Sequence, residues 1–216
     1  MEEKNIVVRE NVCWKQGRND LRGRWGEAVL LTFVYFLLSW MFSSIVGAGL
    51  GLINEYLTIV ASFILFPLQW GYFVTFVDCH RGDTDPFNVK NLFVGYKDFV
   101  RIFGTVLLQT VYIVLWSLLL VVPGIIKSMS YALTPYILKD NPELKYNSAI
   151  EQSMAMMEGY KAELFVLCLK YLGWTLLAIL TLGIGMLWVI PYYSAAMANF
   201  YEDVKAAYNE RSGNAF

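Results

Sequence analysis

Lys127 is the one charged residue in the apolar run Ile102–Leu138, and Ser128 and Tyr131 follow it closely in the chain. On a helix that spacing lets an ammonium and two hydroxyls line one cavity, the donor set that takes a phosphate or carboxylate. A lysine at mid-membrane costs roughly 2.5–3.5 kcal/mol on insertion scales, so it must find relief. Two readings follow: Lys127 snorkels to the outer headgroups, or Lys127, Ser128 and Tyr131 form a ligand site. Lys170, alone in Leu164–Tyr201, can snorkel to the cytoplasmic face in the same way.

The second concentration of chemistry is Asp78, Cys79, His80, Asp83 and Asp85. His80 is the only histidine, and the spacing matches no zinc site. A nucleophile–base–acid arrangement would rest on His80 alone. The glycine runs lie inside apolar sequence rather than opening a phosphate-binding helix. The expectation is therefore no metal, no cofactor and no enzymatic activity. A lipid-acting enzyme, the remaining catalytic option, would have to work from this loop. With a formal net charge of −1, no basic surface points to nucleic acid. Cys13, Cys79 and Cys168 are far apart and odd in number, which argues against a disulfide framework.

The elements that position these residues are apolar. Hydrophobic residues make up 57% of the chain and charged residues 16%, against roughly 45–50% and about 25% in soluble domains. Ala28–Asn54, Tyr56–Val77, Ile102–Ile126 and Tyr171–Tyr201 contain no Asp, Glu, Lys or Arg, and a crossing helix needs about 20 apolar residues. The fold class is all-α: a polytopic membrane bundle of six transmembrane helices in three hairpins, 28–77, 102–138 and 164–201, with interfacial amphipathic helices. The breaks are expected at Gly47–Leu52, at Pro123-Gly124, and at Thr181–Gly185 with Gly183 and Gly185. Pro67 should kink the second helix, and Pro135 and Pro191 mark the later return helices.

Residues 1–27 form a basic, interfacial segment, 28–204 the membrane domain and 205–216 a polar tail. No signal peptide precedes the first apolar block, so the first helix reads as an uncleaved anchor. Fifteen of the 17 basic residues fall in 1–27 (Lys4, Arg9, Lys15, Arg18, Arg22, Arg24), 78–101, 139–161 and the tail. By the positive-inside rule both termini are cytoplasmic. The N-terminal segment reads as a helix packed on the bundle, with an anionic-lipid site as the alternative. Asn91–Phe103 carries a helical apolar stripe and reads as an interfacial segment.

The corner Asp140-Asn141-Pro142-Glu143 reads as a helix start: Asn141 caps, Pro142 takes the first position and Glu143 complements the dipole. In the helix that follows, Tyr146, Ile150, Met154 and Met157 share a face and Gly159 ends it. That face either covers the cytoplasmic end of the bundle or, through Ile150, Met154 and Met157, docks a partner. Ser128/Ala132 and Ser194/Ala198 are small pairs at helical spacing that permit close helix approach.

The run PGIIKSMSYALTPYILKDNPEL, with the later SMAMMEGYK, Gly173-Trp174, LTLGIGMLW and Pro191-Tyr192, resembles the DUF975 family of bacterial integral membrane proteins over about Arg9–Glu202. More distantly it is similar to the membrane domain accompanying some bacterial glycerophosphodiester phosphodiesterases. The resemblance implies a six-helix bundle in the bacterial cytoplasmic membrane and supplies no site residues. Three functions remain open. The first is a non-enzymatic scaffold, lipid-interacting, envelope-maintenance or immunity factor, with membrane lipids and a membrane or cytoplasmic protein as partners. The second is a transporter for a hydrophobic or anionic solute, and the third is the lipid-acting enzyme.

Overall fold

Each hairpin block supplies one long apolar helix and a return segment of different character. The computed structural model describes residues 10–50 and 63–213, and every regular element among them is helical. The outgoing helices are α2 (Trp25–Leu50), α4 (Phe99–Leu119) and α8 (Lys161–Leu180). All three are long and apolar enough to cross a membrane, and only 11–17% of their most apolar stretches is buried inside the molecule. The returning helices are α3 (Phe66–His80), the pair α5 (Val121–Ser130) and α6 (Thr134–Asp140), and α9 (Met186–Ser212). These are shorter, broken or more polar, and α3, α6 and α9 supply most of the core. Helix α1 (Glu10–Asp20) and α7 (Asn147–Met156) complete the set. Helix α9 is central and packs on α1, α2, α3, α7 and α8.

Small residues allow the tightest approaches. A Cβ on Gly17 of α1 would lie 2.7 Å from the Ala196 backbone nitrogen of α9. A 3₁₀ helix, Val89–Tyr96, lies along α3 with two reciprocal glycines. A Cβ on Gly71 would fall on the Leu92 carbonyl oxygen, and one on Gly95 would fall on that of Pro67. Ser194 and Ala198 are buried in α9, as the packing reading of that pair requires. Inside the core Tyr35 stacks on Tyr72 at 4.9 Å, and the Tyr72 hydroxyl lies 2.9 Å from Thr32 Oγ1.

The break differs from expectation in the second hairpin, and in the first it lies partly outside the described residues. Helix α2 runs through Gly47 and Gly49 to Leu50, and the remaining turn, with Glu55, lies outside the described residues, as do Lys4 and Arg9. Pro67 does not kink a helix; it occupies the first turn of α3, where its missing N–H costs nothing. In the second hairpin the break is Leu120, in extended backbone, and Pro123 falls in the first turn of α5. Gly124 serves close packing instead: a Cβ there would strike Ser117 of α4. The third break matches expectation. Thr181–Gly185 joins α8 to α9, with Leu182 at φ 55° and Gly183 at φ 84°. Pro191 lies buried inside α9.

Three further corrections concern the polar segments. Asn91–Phe103 is two elements, because the 3₁₀ helix ends at Tyr96 and α4 starts at Phe99. Asn141 does not cap a following helix; it closes α6, and Pro142 and Glu143 precede a helix that starts only at Asn147. The region 205–216 is not simply a tail: α9 continues to Ser212 and buries Val204 and Ala207.

Candidate functional site

The charged segments that the sequence scatters meet at one end of the bundle. Asp140, at the end of α6 with its side chain 8% exposed, is the centre. Arg81 grips both its carboxylate oxygens at 2.7 and 2.9 Å. Lys205 donates to it at 2.6 Å and the Tyr201 hydroxyl at 2.7 Å. Arg81 also reaches Glu202. Burial alone would raise the Asp140 pKa, but Arg81, Lys205 and Tyr201 together hold it well below the usual carboxylate range. The adjoining Lys139 pairs with Asp78 and donates to the Val74 carbonyl. Three helices, α3, α6 and α9, are thus fastened by two neighbouring residues of α6.

A second group ties in α1. His80 Nδ1 lies 2.9 Å from Asp20 Oδ2, which also accepts from Asn199 at 2.6 Å. Cys13 donates to Asp203 at 3.4 Å and Cys79 to the Asp20 carbonyl at 3.7 Å. The Asp20 hydrogen bond raises the His80 pKa above its ordinary value against the lowering effect of burial, and Glu202 and Asp203 add to the rise. The protonated ring is therefore favoured by folding. Its contribution is complete below the unfolded-chain value of about 6.5 and is lost as pH rises through the higher folded value. Thermal stability is expected to fall as pH is raised from about 6 to 8, and His80→Gln, which can hydrogen-bond but not titrate, should flatten that slope. A slope unchanged in His80→Gln would remove His80 from the pH response.

The loop of Asp78, Cys79, His80, Asp83 and Asp85 does not act as a unit. Its side chains go to Lys139, the Asp20 carbonyl, Asp20 and, for Asp85, Asn88. Among the described residues no three His, Cys, Asp or Glu stand close enough to hold a metal ion. Arg24 closes the same loop onto the start of α2 by donating to the Asp83 and Thr84 carbonyls. Arg101 explains the misread corner: its guanidinium donates to the carbonyls of Leu138, Asn141 and Leu144. A distant side chain therefore satisfies the helix end.

Lys127 is half-buried, with its nitrogen 5.1 Å from the Trp116 ring centre and 3.8 Å from Met154 Sδ. Tyr131 also faces Trp116. Ser128 turns away, donating to the Ile125 carbonyl of its own helix. The structure thus brings Lys127 and Tyr131 to one indole and leaves Ser128 out. The docking face is also corrected. Ile150 and Met157 are buried, Met154 lies against Lys127, and Ser153 donates to the Ser130 carbonyl. Apart from exposed Tyr146, the stripe at helical spacing packs inward. Pro135 starts α6, and its carbonyl accepts from Trp70 Nε1 at 2.8 Å.

One feature escaped the sequence reading. Two cavities of about 230 and 240 Å³ flank α3, and both are lined by Gln69 and Phe73. The first adds Trp70, Gln109 and Pro135; the second adds Tyr35, Tyr72 and Tyr193. Gln69 and Gln109 are amides inside apolar blocks, and that was the available signal. The arrangement offers apolar walls with a few polar atoms.

No curated protein and no solved structure was found to match the chain. The family model DUF975, described as a protein of unknown function, matches over residues 9–133 and 118–208. The chain belongs to the DUF975 family.

Proposed function

We propose that this is a multi-pass protein of a bacterial cytoplasmic membrane, crossing six times with both termini cytoplasmic, that serves as a non-enzymatic, lipid-interacting scaffold. The observation that carries the reading is the division of labour between helices. Helices α2, α4 and α8 turn apolar side chains outward along lengths that match a bilayer. Their partners α3, α6 and α9 hold the core. The ionic end gathers the basic segments, as a cytoplasmic face would. Asp140, Asp78 and Asp20 there are committed to Arg81, Lys205, Lys139 and His80, which supports holding the bundle together rather than turning over a substrate. The cavities beside Gln69, with aromatic walls, suit a lipid chain or another hydrophobic molecule.

Single cysteines in a background free of Cys13, Cys79 and Cys168 test the placement. Leu182, at the tip of the third hairpin and 95% exposed, is expected to react with a membrane-impermeant maleimide in intact cells once changed to Cys. Lys90→Cys and Lys145→Cys should react only after permeabilisation. Labelling of all three from outside, or of none but Lys90→Cys and Lys145→Cys, would overturn the topology.

A further inference from the structure

One side of α1 and the turn after it carry three cations that have no acidic partner among the described residues. Lys15, Arg18 and Asn19, with Arg22 in the turn after the helix, follow the spacing that places residues on one side. With Trp25 at the start of α2 they line a cavity of about 580 Å³. Five other cations are engaged, Arg81 and Lys205 with Asp140, Lys139 with Asp78, Arg101 with Asp98 and three carbonyls, and Arg24 with two carbonyls, whereas Lys90, Lys97 and Lys145 are exposed. Among the described residues no acid pairs with Lys15, Arg18 or Arg22. The nearby carboxylate of Asp20 is taken by His80 and Asn199.

The helix that carries these cations is held in a fixed rotation. Cys13, Gly17 and Leu21, on its opposite side, are buried, and Gly17 rests on the Ala195–Ala196 backbone of α9. An aromatic group marks the depth. Trp14 lies 4.2 Å and Trp25 6.0 Å from the Tyr192 ring, and tryptophan and tyrosine gather at the headgroup level of a bilayer. Just beyond, α2 enters its apolar stretch with Leu30, Phe33 and Leu37 exposed on one side. A phosphate-sized anion above this boundary would meet cations, and chains attached to it would lie against apolar side chains.

We infer that Lys15, Arg18 and Arg22, with Trp25, bind the phosphate of an anionic phospholipid headgroup. This rests on the membrane placement proposed above. Phosphodiester oxygens accept from the two guanidiniums and the ammonium, and Asn19 can donate to the headgroup's hydroxyls. A zwitterionic headgroup brings its own cation into the same pocket and is disfavoured.

The test is a titration of the full-length, detergent-solubilised protein with short-chain phosphatidylglycerol, short-chain phosphatidylcholine and inorganic phosphate, followed by tryptophan fluorescence. Phosphatidylglycerol is expected to bind more tightly than phosphatidylcholine. The triple variant Lys15→Gln/Arg18→Gln/Arg22→Gln should lose about a hundredfold in affinity for it. Lys90→Gln/Lys97→Gln/Lys145→Gln, which removes three exposed cations elsewhere, should lose little, and circular dichroism checks that both variants fold. Equal binding of the two lipids, or undiminished binding by the first variant, would overturn the inference. So would inorganic phosphate binding as tightly as phosphatidylglycerol, which would assign the pocket to a soluble anion. Flotation with phosphatidylcholine vesicles separates the two proposals: a chain that does not float sinks the membrane placement. One that floats without preferring the anionic lipid sinks only this site.

Discussion

Asp140→Ala is expected to be the most damaging single loss of a polar side chain. It removes one acceptor from Arg81, Lys205 and Tyr201 together and leaves two cations close to each other, with Glu202 paired to Arg81. Breaking a fully buried ion pair costs about 3–5 kcal/mol. Here Arg81 and Lys205 keep 37% and 25% of their side chains exposed and can regain water, so about 2–3 kcal/mol is expected. Asp140→Asn should fall between, since its carbonyl can still accept from one donor. Thermal unfolding in detergent measures both. The carboxylate's contribution is present above the unfolded value of about 3.9 and is lost as pH falls through the lower folded one. The difference between wild type and Asp140→Ala should therefore shrink in acid. A variant as stable as wild type at neutral pH would show that this centre holds nothing together.

Gly71→Ala is expected to cost about 3 kcal/mol, the upper part of the range for overpacking. The methyl group would fall on backbone, the Leu92 and Asn91 carbonyls, and neither can rotate out of the way. Gly95→Ala should behave alike from the other side of the same contact, where Pro67 and the Trp70 ring stand. Gly47→Ala and Gly49→Ala, in the exposed part of α2 with nothing within 4 Å, are the controls. They should be neutral or stabilise by up to about 1 kcal/mol, because alanine favours a helix. Thermal melts of the four variants decide it. If Gly71→Ala melts with the controls, the 3₁₀ helix can move away from α3 more freely than its two-sided contact implies.

Glycines of these two kinds look the same in the chain, and that marks the limit of what could be read from it. The apolar blocks and the helical class were legible, because long runs of apolar residues act on composition over long windows. The Gly183–Gly185 turn was legible as well, since two glycines and an exposed tip need no outside help. Gly124 was misread as a break. Whether glycine ends a helix or admits a neighbour depends on what lies across from it, here open space beside Gly47 and Ser117 beside Gly124. The Asn141 corner failed for a related reason, since Arg101 supplies the cap from another helix. The Asp140 and Asp20 clusters join residues separated by 59–179 positions, and no local spacing announces such pairs. Ile150 and Met157 showed the correct helical period, but periodicity alone does not say whether a face meets partner or core.

The docking of α1 against α9 bears on how the chain comes to be folded during synthesis. Cys13 meets Asp203 and Asp20 meets Asn199, so the first described helix has its seat on the last. Earlier in synthesis α1 can meet Cys79 and His80 of α3 through Asp20, but its main seat, on α9, does not yet exist. Its buried face, Cys13, Gly17 and Leu21, stays uncovered until α9 emerges. Assembly therefore finishes with a closure of very long sequence separation, the slow kind. A nascent chain stalled before α9 would display an unsatisfied amphipathic helix to the surveillance proteases of the cell.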